Sequence, residues 1–222
     1  GSPSAGPAAP RADANVPGDL RPPPPPPLPL PPFFSALPGL ADNLQRAGIL
    51  PPGSIETGGV RYRSDTGEIE MRTDTGTMKV VTPRSELFVL PSAARLEGQR
   101  VSVRNGDTFS TVSVVSLDDL PLAQTRRLLV AHLTDALPSG MRFSDETRTL
   151  MEAWGKLPHL AHRGSALLDL TLPEGDWHAW TVDATGKQVR EYPVARAPGG
   201  AWTLDVSTVS PEGARFLYEL VR

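Results

Sequence analysis

The sequence of 222 residues lacks cysteine, has few aromatic residues (6%) and contains no long apolar run. The absence of cysteine excludes thiol catalysis, disulfide scaffolds and zinc sites built on thiolates. A membrane-spanning helix needs about 18 or more consecutive apolar residues, and no segment approaches that length. Residues 1–30 also lack the charged start and apolar middle of a signal peptide. These absences predict a soluble chain.

An excess of positive charge is missing as well. The formal net charge is −3 and the pI is about 5.8, whereas proteins that bind nucleic acids concentrate Lys and Arg on one face. A nucleic-acid partner is therefore not expected. The chain starts with Gly1-Ser2 instead of Met, which predicts that a leader or a preceding domain has been removed.

Proline, by contrast, is abundant in one segment. Of the 25 prolines, 16 fall within residues 1–52, and they are densest over residues 22–32. Consecutive prolines favour an extended polyproline II spacer, so residues 1–37 are predicted to form a disordered, proline-rich linker. The alternative is a ligand for an aromatic-lined groove that recognises proline-rich segments.

A short helix and a bridge are predicted to follow the linker, over residues 38–59. Pro38 and Gly48 mark the start and the end of the helix, and Leu40 and Leu44 lie one turn apart. We expect Leu37, Leu40 and Leu44 to pack on the following domain or on whatever precedes this chain.

From residue 60 onward the pattern is typical of β-structure. Short runs rich in Val, Thr and Leu are interrupted by turn residues every 8–12 positions, the spacing expected of an antiparallel sandwich. The predicted fold class is all-β, an antiparallel β-sandwich over residues 60–222, with two small β subdomains divided near residue 160 as the alternative. Only residues 121–125 and 145–153 have a helical pattern. Strands are predicted near residues 60–64, 68–73, 77–82, 85–90, 100–104, 109–116, 126–134, 166–172, 177–183, 188–194, 201–206 and 215–221.

Some of these strands show which face is buried. Ala166, Leu168, Leu170 and Leu172 alternate with other residues and should share a buried face. Residues 128–133 are apolar on both faces, which predicts a central strand covered on either side and places His132 in the interior. Five turn segments are interpreted as hairpin corners: residues 74–76, 105–107, 174–176, 185–186 and 198–200.

Carboxylates and histidines are the first candidates for chemistry. Asp65, Glu68, Glu70 and Asp74 cluster in sequence, and glycoside hydrolysis uses two carboxylates. Alternating Glu and apolar residues are, however, the pattern of a solvated strand face, which is the favoured interpretation. His159 and His162 are interpreted as loop residues next to Pro158 and Gly164. No metal site, cofactor site or catalytic site is therefore predicted.

Aromatic residues are the remaining candidates, because sugar rings stack on exposed indole and phenol faces. Trp177 and Trp180 are three apart and should point to opposite faces of a strand, so at most one joins the core. Trp202 shares an apolar face with Leu204 and Val206, which predicts a core position. Trp154 precedes Gly155 in a region interpreted as loop-rich, between residues 142 and 164, where binding residues concentrate.

Several sequence segments resemble the C-terminal β-rich region of large bacterial glycoside-hydrolase-like proteins, whose catalytic TIM barrel lies earlier in the chain. The resemblance covers residues 60–222. Where that family reads Asn-Thr-Gly-Met, this chain has Pro138-Ser-Gly-Met141. The helix and residues 44–50 resemble the bridge that leaves the barrel. The matching segments are residues 64–69, 82–85, 116–130, 140–141 and 154–158.

The resemblance implies a non-catalytic accessory module, extracellular or periplasmic, that packs on a TIM-barrel glycosidase domain or binds polysaccharide. The catalytic carboxylates would lie in the barrel and not in this chain. Trp154, Trp180 and Tyr192 are the candidate residues for contact with carbohydrate or a partner. The alternatives are a glycoside hydrolase whose activity this segment does not reveal and a purely structural interaction module.

Overall fold

The computed structural model describes residues 43–50, 60–64, 66–145, 147–211 and 213–222. The predicted linker over residues 1–37, most of the bridge and the first residues of the predicted helix lie outside this part. Residues 43–46 are helical, and Gly48 follows with a φ of 72°, a left-handed conformation that glycine adopts without strain. The helix prediction is thus confirmed at its C-terminal end.

Eighteen strands make up most of the described chain, and all twelve predicted strands are among them. The first ten are β1 (Arg61–Arg63), β2 (Ile69–Arg72), β3 (Thr77–Val81), β4 (Ser85–Leu90), β5 (Arg95–Glu97), β6 (Val101–Asn105), β7 (Ser110–Ser116), β8 (Arg127–Leu133), β9 (Ala136–Phe143) and β10 (Met151–Ala161). The others are β11 (Ser165–Leu170), β12 (His178–Val182), β13 (Gln188–Tyr192), β14 (Ala195–Arg196), β15 (Trp202–Ser207), β16 (Val209–Ser210), β17 (Gly213–Ala214) and β18 (Leu217–Val221).

Two antiparallel sheets form the body of the molecule. The long sheet has nine strands in the order β1-β2-β3-β4-β7-β8-β18-β12-β13, and the short sheet has five in the order β14-β15-β11-β6-β5. Because β6 pairs with β11 and β8 pairs with β18, strands from both sides of residue 160 share each sheet. The sequence prediction of an all-β antiparallel sandwich is confirmed.

The core lies between the two sheets. Phe88, Val112 and Val130 of the long sheet and Leu168 and Leu204 of the short sheet are fully buried within one cluster. The side of the long sheet that faces this core is called here the inner face, and the opposite side the outer face. Alternation therefore places one set of side chains in the core and the other set on the outer face.

The chain crosses between the sheets at several corners, and one of these is fixed by a buried amide. Nδ2 of Asn105 donates to the carbonyl oxygens of Pro91 and Thr108 at 2.8 and 2.6 Å, while its Oδ1 accepts from Ser110 Oγ at 2.8 Å. The segments 105–107 and 174–176 are thus sheet-to-sheet corners and not the hairpin turns that the sequence predicted. The segments 74–76, 185–186 and 198–200 do close hairpins.

Strands β9 and β10 were not predicted. Residues 121–125 form turns instead of a helix, and the described residues of the helix expected over 145–153 form bends, a turn and the start of β10. His159 lies within β10, so the loop predicted around it was wrong too. The two strands pair only with each other, and we call this hairpin, residues 136–161, the arm.

The outer face of β8 also differs from the prediction. Leu128, Val130 and His132 are buried on the inner face, as expected for a central strand. On the outer face Leu129 and Ala131 are half-buried and Leu133 is exposed. The expected cover on both sides is therefore absent from the described part of the chain.

Candidate functional site

Three large apolar side chains of the arm are mostly exposed. Trp154 is 78% exposed, Leu157 74% and Leu160 58%. Register pairs Trp154 with Met141 across the hairpin, and Gly155 next to it has a φ of 71°. A Cβ at Gly155 would approach the backbone nitrogen of Met141 within 2.7 Å, so only glycine fits beside this tryptophan.

One face of the arm is mostly apolar and is interrupted by the Ser139–Lys156 pair. Residues of β9 two apart share a face, and the paired residues of β10 lie on the same side. No strand of either sheet pairs with β9 or β10 within the described ranges. Arg148 covers the ring of Phe143 at 5.7 Å, so the exposed part of this face is Trp154 and Leu160. The large apolar residues of this face are Leu137, Met141, Phe143, Met151, Trp154 and Leu160.

Trp180 of β12 lies on the outer face of the long sheet, next to the edge strand β13. Strand register sets it directly between Glu219 of β18 and Glu191 of β13, and its side chain is half-buried. Trp177, three residues earlier, is buried on the inner side. The prediction that at most one of these two indoles joins the core is confirmed.

Polar groups converge beside Trp180. Glu219 is almost fully buried and accepts hydrogen bonds from Arg127 and, at 2.7 Å, from Nε2 of Gln188. His178 Nδ1 lies 3.4 Å from Glu191 Oε1. The sequence analysis missed Glu219, Gln188 and Arg127 because they are far from Trp180 along the chain and meet it only through strand register.

Tyr192 faces the inner side of the sheet, unlike Trp180. Its ring packs edge-on against Tyr218 with 4.9 Å between centroids, and its hydroxyl donates to the carbonyl oxygen of Asp205 at 2.8 Å. The guanidinium of Arg215 covers the ring at 5.0 Å. These contacts join β13 to the short sheet and leave little of the ring for a ligand.

Trp154 and Trp202 differ in exposure as the sequence predicted, but Trp154 belongs to strand β10 and not to the loop-rich region expected there. Trp202 is half-buried and packs against the core cluster, while Trp154 is exposed on the arm. Replacing Trp202 with alanine should lower the free energy of unfolding by about 2–3 kcal/mol, less than for a fully buried tryptophan. Trp154→Ala should cost under about 1 kcal/mol. Urea denaturation of both variants checks this, and equal losses would mean that Trp154 belongs to the core.

The carboxylates singled out in the sequence are not arranged for hydrolysis. Glu70 pairs with Arg61 at 3.0 Å and approaches Lys79 at 4.0 Å, whereas Glu68 is exposed. The hydrogen bond from Arg61 holds the pKa of Glu70 below its usual value, which keeps it ionised and unsuited to donating a proton. Asp65 lies outside the described residues.

Asp118 organises the loop between β7 and β8 rather than a reactive centre. Its carboxylate accepts from Thr125 Oγ1 at 2.6 Å, Arg126 N at 2.7 Å and Ser116 Oγ at 2.9 Å. Burial raises its pKa, but these hydrogen bonds outweigh that effect and hold the pKa well below its usual range. The aspartate in the segment 116–121 thus has a structural role.

The histidines are dispersed. His132 is fully buried, neither ring nitrogen has a hydrogen-bond partner, and burial lowers its pKa to about 4. His159 and His162 are exposed at the base of the arm. Within the described ranges, no group of three His, Cys, Asp or Glu side chains lies close enough to hold a metal ion. Nor does any helix there have the length and apolar character needed to cross a membrane.

Comparison with known protein families, with curated proteins and with solved structures finds no match to this chain.

Proposed function

We propose that this chain is a non-catalytic accessory module of an extracellular or periplasmic glycoside-hydrolase-like protein, and that it packs on a catalytic TIM barrel through the arm. The observation that carries the proposal is the apolar face of the arm, which lies outside both sheets and leaves Trp154 and Leu160 exposed. An isolated two-stranded hairpin is marginally stable in water. A contact partner would stabilise it.

The exposed side chains suit a protein partner. Trp154 and Leu160 are large, exposed and on one face, and aromatic and aliphatic anchors of this type dominate protein interfaces. Contiguous exposed apolar surface on a folded protein commonly marks an interaction site.

The sequence resemblance supplies the identity of the partner. Two of the segments that resemble glycoside-hydrolase-like proteins lie on the arm, namely residues 140–141 and 154–158. Met141 pairs with Trp154 across the hairpin. Two of the five segments that carry the resemblance thus belong to the surface proposed to dock. In the resembled proteins a TIM barrel precedes this region, so the barrel is the proposed occupant.

The state of the polar residues supports a non-catalytic role. Glu70 is paired with Arg61, and Glu219 with Arg127 and Gln188. A general acid needs a raised pKa and access to a substrate. The hydrogen bond from Arg61 lowers the pKa of Glu70, and Glu219 is buried away from a substrate. Purified protein should therefore release no reducing sugar from polysaccharides and no product from chromogenic glycosides.

The docking role is tested with a variant of the apolar face. Trp154→Ser combined with Leu160→Ser should weaken association with a TIM-barrel domain of the resembled family at least tenfold, measured by calorimetric titration with the purified barrel. The unfolding midpoint should stay almost unchanged because both side chains are exposed.

A matched control is Val189→Ser, which removes an exposed apolar side chain from β13, away from the arm. The control variant should bind the barrel like the unmodified chain. Equal binding by all three proteins would contradict the proposal. A concentration-dependent dimer in sedimentation that disappears in the double variant would instead identify a second copy of this chain as the occupant.

A specific observation favours a second candidate function, the binding of polysaccharide. Trp180 on the outer face has hydrogen-bonding side chains on both flanks, an arrangement that the arm lacks. This role concerns a different surface and is compatible with docking through the arm.

A further inference from the structure

Three strands bring an aromatic side chain and several hydrogen-bonding groups together on the outer face of the long sheet. In one row across the sheet, Glu219, Trp180 and Glu191 are direct register partners, so their side chains point the same way. Neighbouring strands lie about 4.8 Å apart, which places the exposed carboxylate of Glu191 within reach of a ligand seated on the indole.

The groups around the indole retain hydrogen-bonding capacity. The buried carboxylate of Glu219 accepts from Arg127 and Gln188, and both of these donors are themselves exposed. Glu191 and His178 contact each other at 3.4 Å, and both side chains are mostly exposed. Arg127 is about half exposed, so it can also donate outward.

Structural needs do not account for this arrangement. Trp180 lies on the face away from the core, where its indole does not fill the sandwich. Glu219 is buried beside it although a buried carboxylate is costly, and an apolar residue at that strand position would avoid this cost. The arrangement holds a carboxylate in a fixed orientation next to an aromatic ring, which is a feature of pre-organised binding sites.

We propose that the surface formed by Trp180, Glu191, His178, Glu219, Gln188 and Arg127 binds a neutral pyranose unit of a polysaccharide. The C–H face of the sugar stacks on the indole, Glu191 accepts hydrogen bonds from its hydroxyl groups, and the buried Glu219 holds Arg127 and Gln188 in place beside the indole. Charge-assisted bonds of this type are about twice as strong as neutral ones. The proposal extends the second candidate function and does not depend on docking through the arm.

The charges favour a neutral sugar over an acidic one. Glu219 is paired with Arg127, whereas the partner of Glu191 is a histidine, which is charged only when protonated. The two carboxylates of the site, Glu219 and Glu191, outnumber its one guanidinium, Arg127, and this excess would repel the carboxylates of a uronic-acid polymer.

The experiment measures retention of the protein on cellulose, β-1,3-glucan, xylan and starch, with polygalacturonate as the anionic comparison. Trp180→Ala should lower the association constant for the retaining neutral polymer at least tenfold, and Glu191→Gln about fivefold. Glu191 is exposed, so its variant keeps the result interpretable if Trp180→Ala fails to fold. Circular dichroism verifies the fold of each variant.

Phe109→Ala is the matched control, because it removes an exposed aromatic side chain that lies outside both the arm and the surface around Trp180. It should retain the unmodified affinity for polysaccharide. The proposal would be overturned if none of the neutral polymers retains the protein. It would also be overturned if the Trp180 and Glu191 variants are retained as strongly as the unmodified chain. Failure of the arm variant to weaken barrel binding would contradict only the docking role, so the two proposals fail separately.

Discussion

Replacing Glu86 with alanine is expected to lower the free energy of unfolding by about 4 kcal/mol, because its buried carboxylate joins the two sheets. Glu86 extends from β4 of the long sheet and accepts the backbone N–H groups of Gln99, Arg100 and Val101, at 3.2, 2.7 and 3.1 Å. These amides begin β6 of the short sheet. Burial raises the pKa of Glu86, and the three hydrogen bonds act in the opposite direction.

Two comparisons define this result. Glu86→Gln should cost about 2 kcal/mol, since one oxygen still accepts while the amide group faces an N–H donor. Glu97 lies in β5, in the hairpin with β6 whose amides Glu86 accepts, but it is exposed and pairs with Arg95 at the surface. Glu97→Ala should therefore change stability by less than about 0.5 kcal/mol. Denaturation in urea measures all three. A loss near that of Glu97→Ala would show that Glu86 does not join the sheets.

Acid is expected to destabilise the sandwich through His132. The side chain is fully buried on the inner face of β8, neither ring nitrogen has a hydrogen-bond partner, and desolvation lowers its pKa to about 4. In the unfolded chain the pKa of histidine is about 6.5, so the unfolded state binds a proton first. Stability is therefore complete above pH 6.5 and is lost as the pH falls towards 4, by roughly 3 kcal/mol.

His132→Leu is the variant that isolates this contribution. Leucine fits an apolar interior and leaves no polar atom unsatisfied, so the variant should be at least as stable at neutral pH. Between pH 7 and pH 4 the unmodified chain should lose roughly 3 kcal/mol more than the variant, which retains the acid response of the carboxylates. Parallel pH profiles for the two proteins would contradict the prediction.

The sandwich could be predicted because its strands follow simple rules. Residues 166–170 alternate strictly, and the structure buries Ala166, Leu168 and Leu170 on one face. Turn residues separate such runs at regular intervals. Local pattern and global fold agree in these strands, which is why all twelve predicted strands are present.

The arm could not be predicted by the same rules. Pro138 and Pro158 interrupt its strands, and proline within a run argues against a central strand. Irregular register near Met151 and near His159 also breaks the two-residue period that reveals a strand. These strands have no neighbours in either sheet, so the proline positions do not remove hydrogen bonds from a larger sheet.

The site around Trp180 depends on tertiary structure even more. Trp180 was a candidate from its residue type alone, but Glu219 and Glu191 reach its flanks only through strand register. Tyr192 was chosen on the same grounds, and the structure turns it to the inner side against Tyr218. Residue type without register cannot separate the two.

Amide hydrogen exchange of the arm is the most direct test of the docking role, with residues 165–170 of β11 as the internal reference. In the chain alone, amides of residues 136–161 should exchange much faster than those of β11, because an unsupported hairpin opens readily. Saturating TIM-barrel domain should slow exchange in the arm at least tenfold and leave β11 unchanged. Exchange in the arm that the barrel does not alter would contradict the account.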